Sequence, residues 1–220
     1  MELHATPLST AFLWTSHLLF GAVLFGALRM ASWRRLTDSE QLNVFLGACV
    51  VVMVLWSLRT EVLSGVFYHL LGVTSLTLMF GWSLGIIAST LALLGVTSAH
   101  GGSWAAFSLN ALLVAVPITL TQTLLILVRA WLPRHFFIYV FINAFLAAGL
   151  SSLSIALVVL ALVAALGEHN MERVWREYVP LLPLMFFPEA VLNGMLMSIL
   201  VAMRPQWVSS FDDRQYLDGK

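Results

Sequence analysis

The sequence predicts an all-α polytopic membrane protein of about seven transmembrane helices, and three observations lead there. Hydrophobic residues make up 60% of the 220 and charged residues 10%, whereas a soluble domain carries about a quarter charged residues. Apolar runs of bilayer-crossing length recur along the chain between short polar breaks. The basic residues also collect on one side if the chain crosses seven times. Formal net charge is zero and there is no basic tract, which argues against a nucleic-acid partner; the single Cys49, in an apolar run, offers no disulfide framework.

The elements follow in order. Met1-Glu2-Leu3 lacks a basic leader, so no cleavable signal peptide is expected. Residues 9–31 form the first span and 42–58 the second, ended by Arg59-Thr60-Glu61. Residues 62–97 are apolar throughout, but as one helix they would run about 54 Å, far more than a bilayer core. Gly81 divides them into two short spans, roughly 66–80 and 82–97. Residues 105–128 form the fifth span, with Pro117 as a kink; 136–166 form the sixth, and 180–203 the seventh, with Pro183 and Pro188. With seven spans and the N-terminus outside, eight of the 11 basic residues lie inside; with six spans the split is about even. The expected layout is therefore N-terminus outside and C-terminus inside, with one transmembrane domain over 1–204 and a short cytoplasmic tail over 205–220. Seven of the eight tryptophans, Trp56 among them, sit mostly near span ends, as an interfacial belt would.

Ionisable side chains inside a membrane are expensive and mark functional sites by default. Under this layout His4, His17, His69, His100 and His169 lie on or towards the outer side, and only His135 inside. Of these, His17 and His69 stand within apolar runs. Glu189 is the only carboxylate inside an expected span, about 15 Å from the outer surface by helical rise, with Asn193 one turn on and on the same face. Asn110 opens the fifth span from the outer side. Each also has a plain structural reading: a satisfied core histidine, or a protonated carboxyl in helix packing.

Three stretches carry a resemblance: His69-Leu70-Leu71-Gly72 with Gly81 nine residues on, Gly101-Gly102 followed by Leu109-Asn110, and Glu189 with Asn193-Gly194. In order and spacing they resemble the substrate-capture permease of cobalt and nickel energy-coupling-factor ABC transporters. The tail from Trp207 to Leu217 is similar to a proteobacterial branch of that superfamily. The resemblance implies seven helices with the N-terminus outside, a multi-pass location in the inner membrane, and capture of a divalent transition metal, Ni or Co. In the family the metal is held by the N-terminal amine, a backbone amide, a histidine at position two and the histidine matching His69. Here the chain begins Met1-Glu2-Leu3-His4, so His4 or His17 is the expected second ligand, with Asn110, Glu189 and Asn193 behind the ligands. Transport would be driven through a transmembrane coupling subunit by cytoplasmic ATPase subunits. This chain has no Gly-x-x-x-x-Gly-Lys-Ser/Thr motif, so no nucleotide is expected on it, and the resemblance implies a permease component and not an enzyme. Two alternatives remain at this stage: a cytochrome b-type protein holding haem or another metal cofactor, with His17 and His69 as axial ligands, and a membrane assembly factor without ligand.

Overall fold

Among the described residues six helices are long and apolar enough to cross a membrane, as expected of an all-α polytopic protein. The structure, a computed structural model, describes residues 2–3, 8–63, 66–166 and 171–212. Helix α1 (Thr10–Met30) starts at Ser9, whose hydroxyl accepts the Phe12 N–H. Helix α2 (Ser39–Ser57) starts at Asp38, whose carboxylate accepts the Gln41 N–H at 3.0 Å, with Glu40 adding negative charge to the first turn. Strands β1 (Glu2–Leu3), β2 (Thr60–Leu63) and β3 (Val66–Tyr68) form a small antiparallel sheet in the order β1-β3-β2. Then come α3 (Val73–Ala99) and α4 (Phe107–Trp131). Helix α5 (Phe136–Ile138), a π-helical stretch (Tyr139–Leu146) and α6 (Ala147–Leu166) make one continuous rod. The short α7 (Met171–Glu177) leads to α8 (Leu182–Met203).

Helix α3 is not one rod. Gly81 has φ 83° and ψ 173°, outside the helical region. A Cβ placed on Gly85 would lie 3.7 Å from the Cα of Thr77. In a continuous helix eight residues separate those positions by about 12 Å. The chain therefore doubles back at Gly81, and arms 73–80 and 82–99 run antiparallel. The expected break is present, but the first arm is shorter than the span expected over 66–80. Val66–Tyr68 are taken by the sheet, where β1 and β2 pair with their backbone. What remains is eight residues, about 12 Å of helix, all buried inside the bundle.

This half-length arm is held along its side and at its foot. Thr74 Oγ1 meets Thr121 Oγ1 of α4 at 3.1 Å, and Thr121 meets Ser151 Oγ of α6 at 2.9 Å, a hydroxyl chain across three elements. At the foot, the amides of Ser209 and Ser210 donate to the Met79 and Leu78 carbonyls at 2.9 and 3.1 Å. Arg35, in the turn after α1, donates to the Met79 carbonyl at 2.6 Å and to the Trp207 carbonyl at 2.8 Å. Arg129 donates to the Ser210 carbonyl, and the Ser210 and Tyr139 hydroxyls lie 2.6 Å apart. Residues 205–212 thus form a clasp over one end of the bundle, opposite the sheet.

Small residues let helices close on one another. A Cβ on Gly149 would lie 2.5 Å from the Phe186 ring, so α6 and α8 need that glycine. Ala144, Ala148 and Ser152 on the same rod are buried, as is Ala27 on α1. These stripes pack within the chain. Outward faces carry exposed Leu18, Phe25, Val54, Ile126, Phe141 and Ile199, suited to lipid.

Candidate functional site

The sheet end of the bundle gathers the sequence-selected polar residues. His69 leaves β3 and is 2% exposed. Antiparallel pairing sets Glu2 opposite Phe67 and Leu3 opposite Val66, so the amino-terminal end of β1 points towards Tyr68 and His69. Helix α4 packs against β1, and Asn110 lies buried near its start. His4, expected as a second ligand, and His169 lie outside the described residues.

The His69-Leu70-Leu71-Gly72 loop ends in Gly72, at φ 66° and ψ 0°, a left-handed turn into α3 that a glycine adopts without strain. Three side chains hold the loop. Glu189 of α8 accepts the Leu71 N–H at 2.8 Å and the Gly72 N–H at 2.6 Å. Asn193 accepts the Ser75 N–H at 3.0 Å and the Ser75 hydroxyl at 2.7 Å, while its own amide donates to Glu189 Oε1 at 2.8 Å. Trp56 of α2, wholly buried, donates from its indole to the Leu71 carbonyl at 2.9 Å and lays its ring 5.2 Å from that of His69.

These contacts sort the candidates. Glu189 and Asn193 cap the amino-terminal amides of the arm, where negative charge is favoured. Trp56, grouped by sequence with the interfacial tryptophans, is a core residue of the site instead. Nothing local marks it, because its partners arrive from 15 residues away and from a loop whose path is set by the sheet. His17 is half-buried and its Nδ1 lies 2.7 Å from the Ser108 hydroxyl of α4, with its ring edge-on to Trp14. His100 is exposed, and His135 caps α5 by accepting the Phe137 N–H. Among the described residues no three His, Cys, Asp or Glu side chains converge as a ready-made metal cage.

Burial holds the His69 imidazole well below its ordinary pKa, so it stays neutral, with a lone pair on one ring nitrogen. Burial, with the nearby Glu189 charge, pushes the Tyr68 phenol up to about 12. Its hydroxyl is buried without a hydrogen-bond partner among the described residues. A neutral imidazole is a donor suited to a borderline cation, whereas a hard one needs several carboxylates.

Residues 4–207 match the family described as the cobalt uptake substrate-specific transmembrane region. Two solved structures share the fold. One, described as a transition metal transporter, is 16% identical over 92% of this chain and 93% of its own, with a TM-score of 0.69. A truncated transition metal transporter is 17% identical over 92% and 99%, with a TM-score of 0.67. Among curated proteins none matches in sequence.

Proposed function

We propose, from the premise that this chain belongs to the cobalt uptake substrate-specific transmembrane family, that it captures a divalent transition-metal ion at the sheet end, with His69 as a ligand. As a member of that family it is a multi-pass metal-uptake permease component and not an enzyme. The observation that carries the site is the neutral, buried His69, with the amino-terminal end of β1 directed at it. The amino-terminal segment supplies further nitrogen donors, His4 among them, and buried Asn110 orients the set. Imidazole and amine nitrogens suit Ni²⁺ or Co²⁺ as the transported ion.

The orientation follows from charge. Arg29, Arg34, Arg35, Arg129, Arg134 and Arg204 gather at the clasp end, whereas Arg59 and Arg176 accompany the sheet end. The positive-inside rule supports a cytoplasmic clasp and an external sheet, with the protein in a bacterial inner membrane. The missing nucleotide motif supports dependence on separate ATPase subunits, reached through a transmembrane coupling subunit. The haem alternative gains no support: His17 is engaged with Ser108 on α4 while His69 lies against Trp56 on α2.

Calorimetry of the detergent-purified chain with Ni²⁺, Co²⁺ and Zn²⁺ tests this reading. The native chain should bind one ion, His69→Ala none, and His100→Ala as the native chain does. A His69→Ala variant that binds with native stoichiometry and affinity would return this histidine to core packing.

A further inference from the structure

We propose that Glu189 is a positioning residue: by fixing the peptide between Leu70 and Leu71 it sets the tautomer of His69 and so presents Nε2 to the metal. This rests on the metal-capture reading above.

One peptide plane links the two side chains. The N–H of that plane belongs to Leu71 and donates to Glu189 Oε2 at 2.8 Å. Its C=O belongs to Leu70 and lies 3.1 Å from His69 Nδ1. A carbonyl only accepts, so Nδ1 carries the hydrogen, and in a neutral imidazole the lone pair is then on Nε2. Glu189 and His69 therefore pull on opposite ends of the same planar unit, whose rotation would break both bonds.

The neighbouring bonds remove the remaining freedom. Glu189 Oε1 accepts the Gly72 N–H at 2.6 Å and the Asn193 amide at 2.8 Å, so both oxygens serve as acceptors. Glu189 is 1% exposed and its described partners are N–H groups, the arrangement of an anion at a helix start. Trp56 fixes the following plane through the Leu71 carbonyl at 2.9 Å. Gln in place of Glu189 would turn one acceptor into an NH₂ and set it against a backbone N–H, leaving the fold's shape but not its polarity. Asp would keep two acceptors on a shorter stem.

The test uses the full chain labelled with ¹⁵N-histidine, the His69 signal being identified by its loss in His69→Gln. In the metal-free native protein His69 should report the Nδ1–H tautomer. Glu189→Gln should mix the tautomers and weaken Ni²⁺ binding by about 10–100-fold, the usual cost of losing an outer partner of a metal ligand. Glu189→Asp should retain the native tautomer and bind closer to the native chain. A native His69 in the Nε2–H form overturns the proposal, even if Glu189→Gln fails to fold. So does a Glu189→Gln protein with native tautomer and affinity, or one that loses thermal stability while keeping the tautomer, since that is a cap acting on the helix alone. A native chain with the expected tautomer that binds no divalent metal overturns the capture reading instead.

Discussion

The two ends of the 73–80 arm are satisfied by opposite chemistry. At the sheet end the Leu71 and Gly72 amides that lead into it, and its own Ser75 amide, meet acceptors, the Glu189 carboxylate and the Asn193 carbonyl. At the clasp end its free carbonyls meet donors, the Arg35 guanidinium and the Ser209 and Ser210 amides. A helix inside an apolar bundle leaves its terminal amides and carbonyls without intrahelical partners and without water. Its dipole then favours an anion at the start and a cation at the end. The difference lies in what else the partners touch. Glu189 reaches a loop that also contains His69, whereas Arg35, besides the arm, bonds the tail and Gln41 of α2. One end is the proposed site with a cap behind it; the other is a clasp.

If that division holds, the largest effect should come from breaking the clasp. Arg35→Ala removes charged hydrogen bonds to the Met79 and Trp207 carbonyls and to Gln41. It should cost about 2–4 kcal/mol, since each bond to a charged group is worth about 1.5–3 and losses overlap. Denaturant unfolding in micelles should show that loss, with Ni²⁺ affinity within twofold of native. A drop in affinity as large as that of Glu189→Gln would mean that the two ends are one mechanism.

The turns that bound the arm give the next contrast. Gly81→Ala places a side chain at φ 83°, ψ 173°, a backbone region restricted almost to glycine, at a cost of about 1–3 kcal/mol. No atom lies within 4 Å of the added Cβ, so the cost is conformational and should appear in thermal unfolding alone. Gly72→Ala has the milder left-handed φ of 66°, costing about 1 kcal/mol, yet its Cβ meets Leu55 at 3.4 Å beside the loop. It should be the less destabilising of the two and the one that weakens metal binding.

The remaining contrast, negligible at neutral pH, is a pH dependence confined to the sheet end. The unfolded chain takes up a proton at His69 near pH 6.5, while burial keeps the folded imidazole neutral well below that. The unfolded state therefore binds more protons below pH 6.5, and stability should fall as pH falls, by at most about 1.4 kcal/mol per unit. Above pH 6.5 both states are neutral and the term vanishes. His69→Gln should flatten the slope in unfolding curves taken from pH 7 to 5. Metal affinity should hold through pH 6.5 and weaken only further down, which corrects the midpoint an exposed histidine would give.

Hydropathy and spacing were enough to locate the helices, to break the 62–97 run at Gly81, and to single out His69, Asn110, Glu189 and Asn193. Those features are written locally: an apolar run, a glycine within it, a carboxylate too costly to leave unexplained. Tertiary structure alone decided what they do. It drew Val66–Tyr68 into a sheet and left the first arm of α3 at half length. Glu189 became a cap for amides 117 and 118 residues away, and Trp56 left the interface for the core. It also folded the tail back onto Leu78 and Met79. The physical reason is that transfer into lipid is an additive property of a stretch of chain. The partner that satisfies a buried amide or carbonyl depends on which distant side chain arrives within 3 Å, and no local pattern records that.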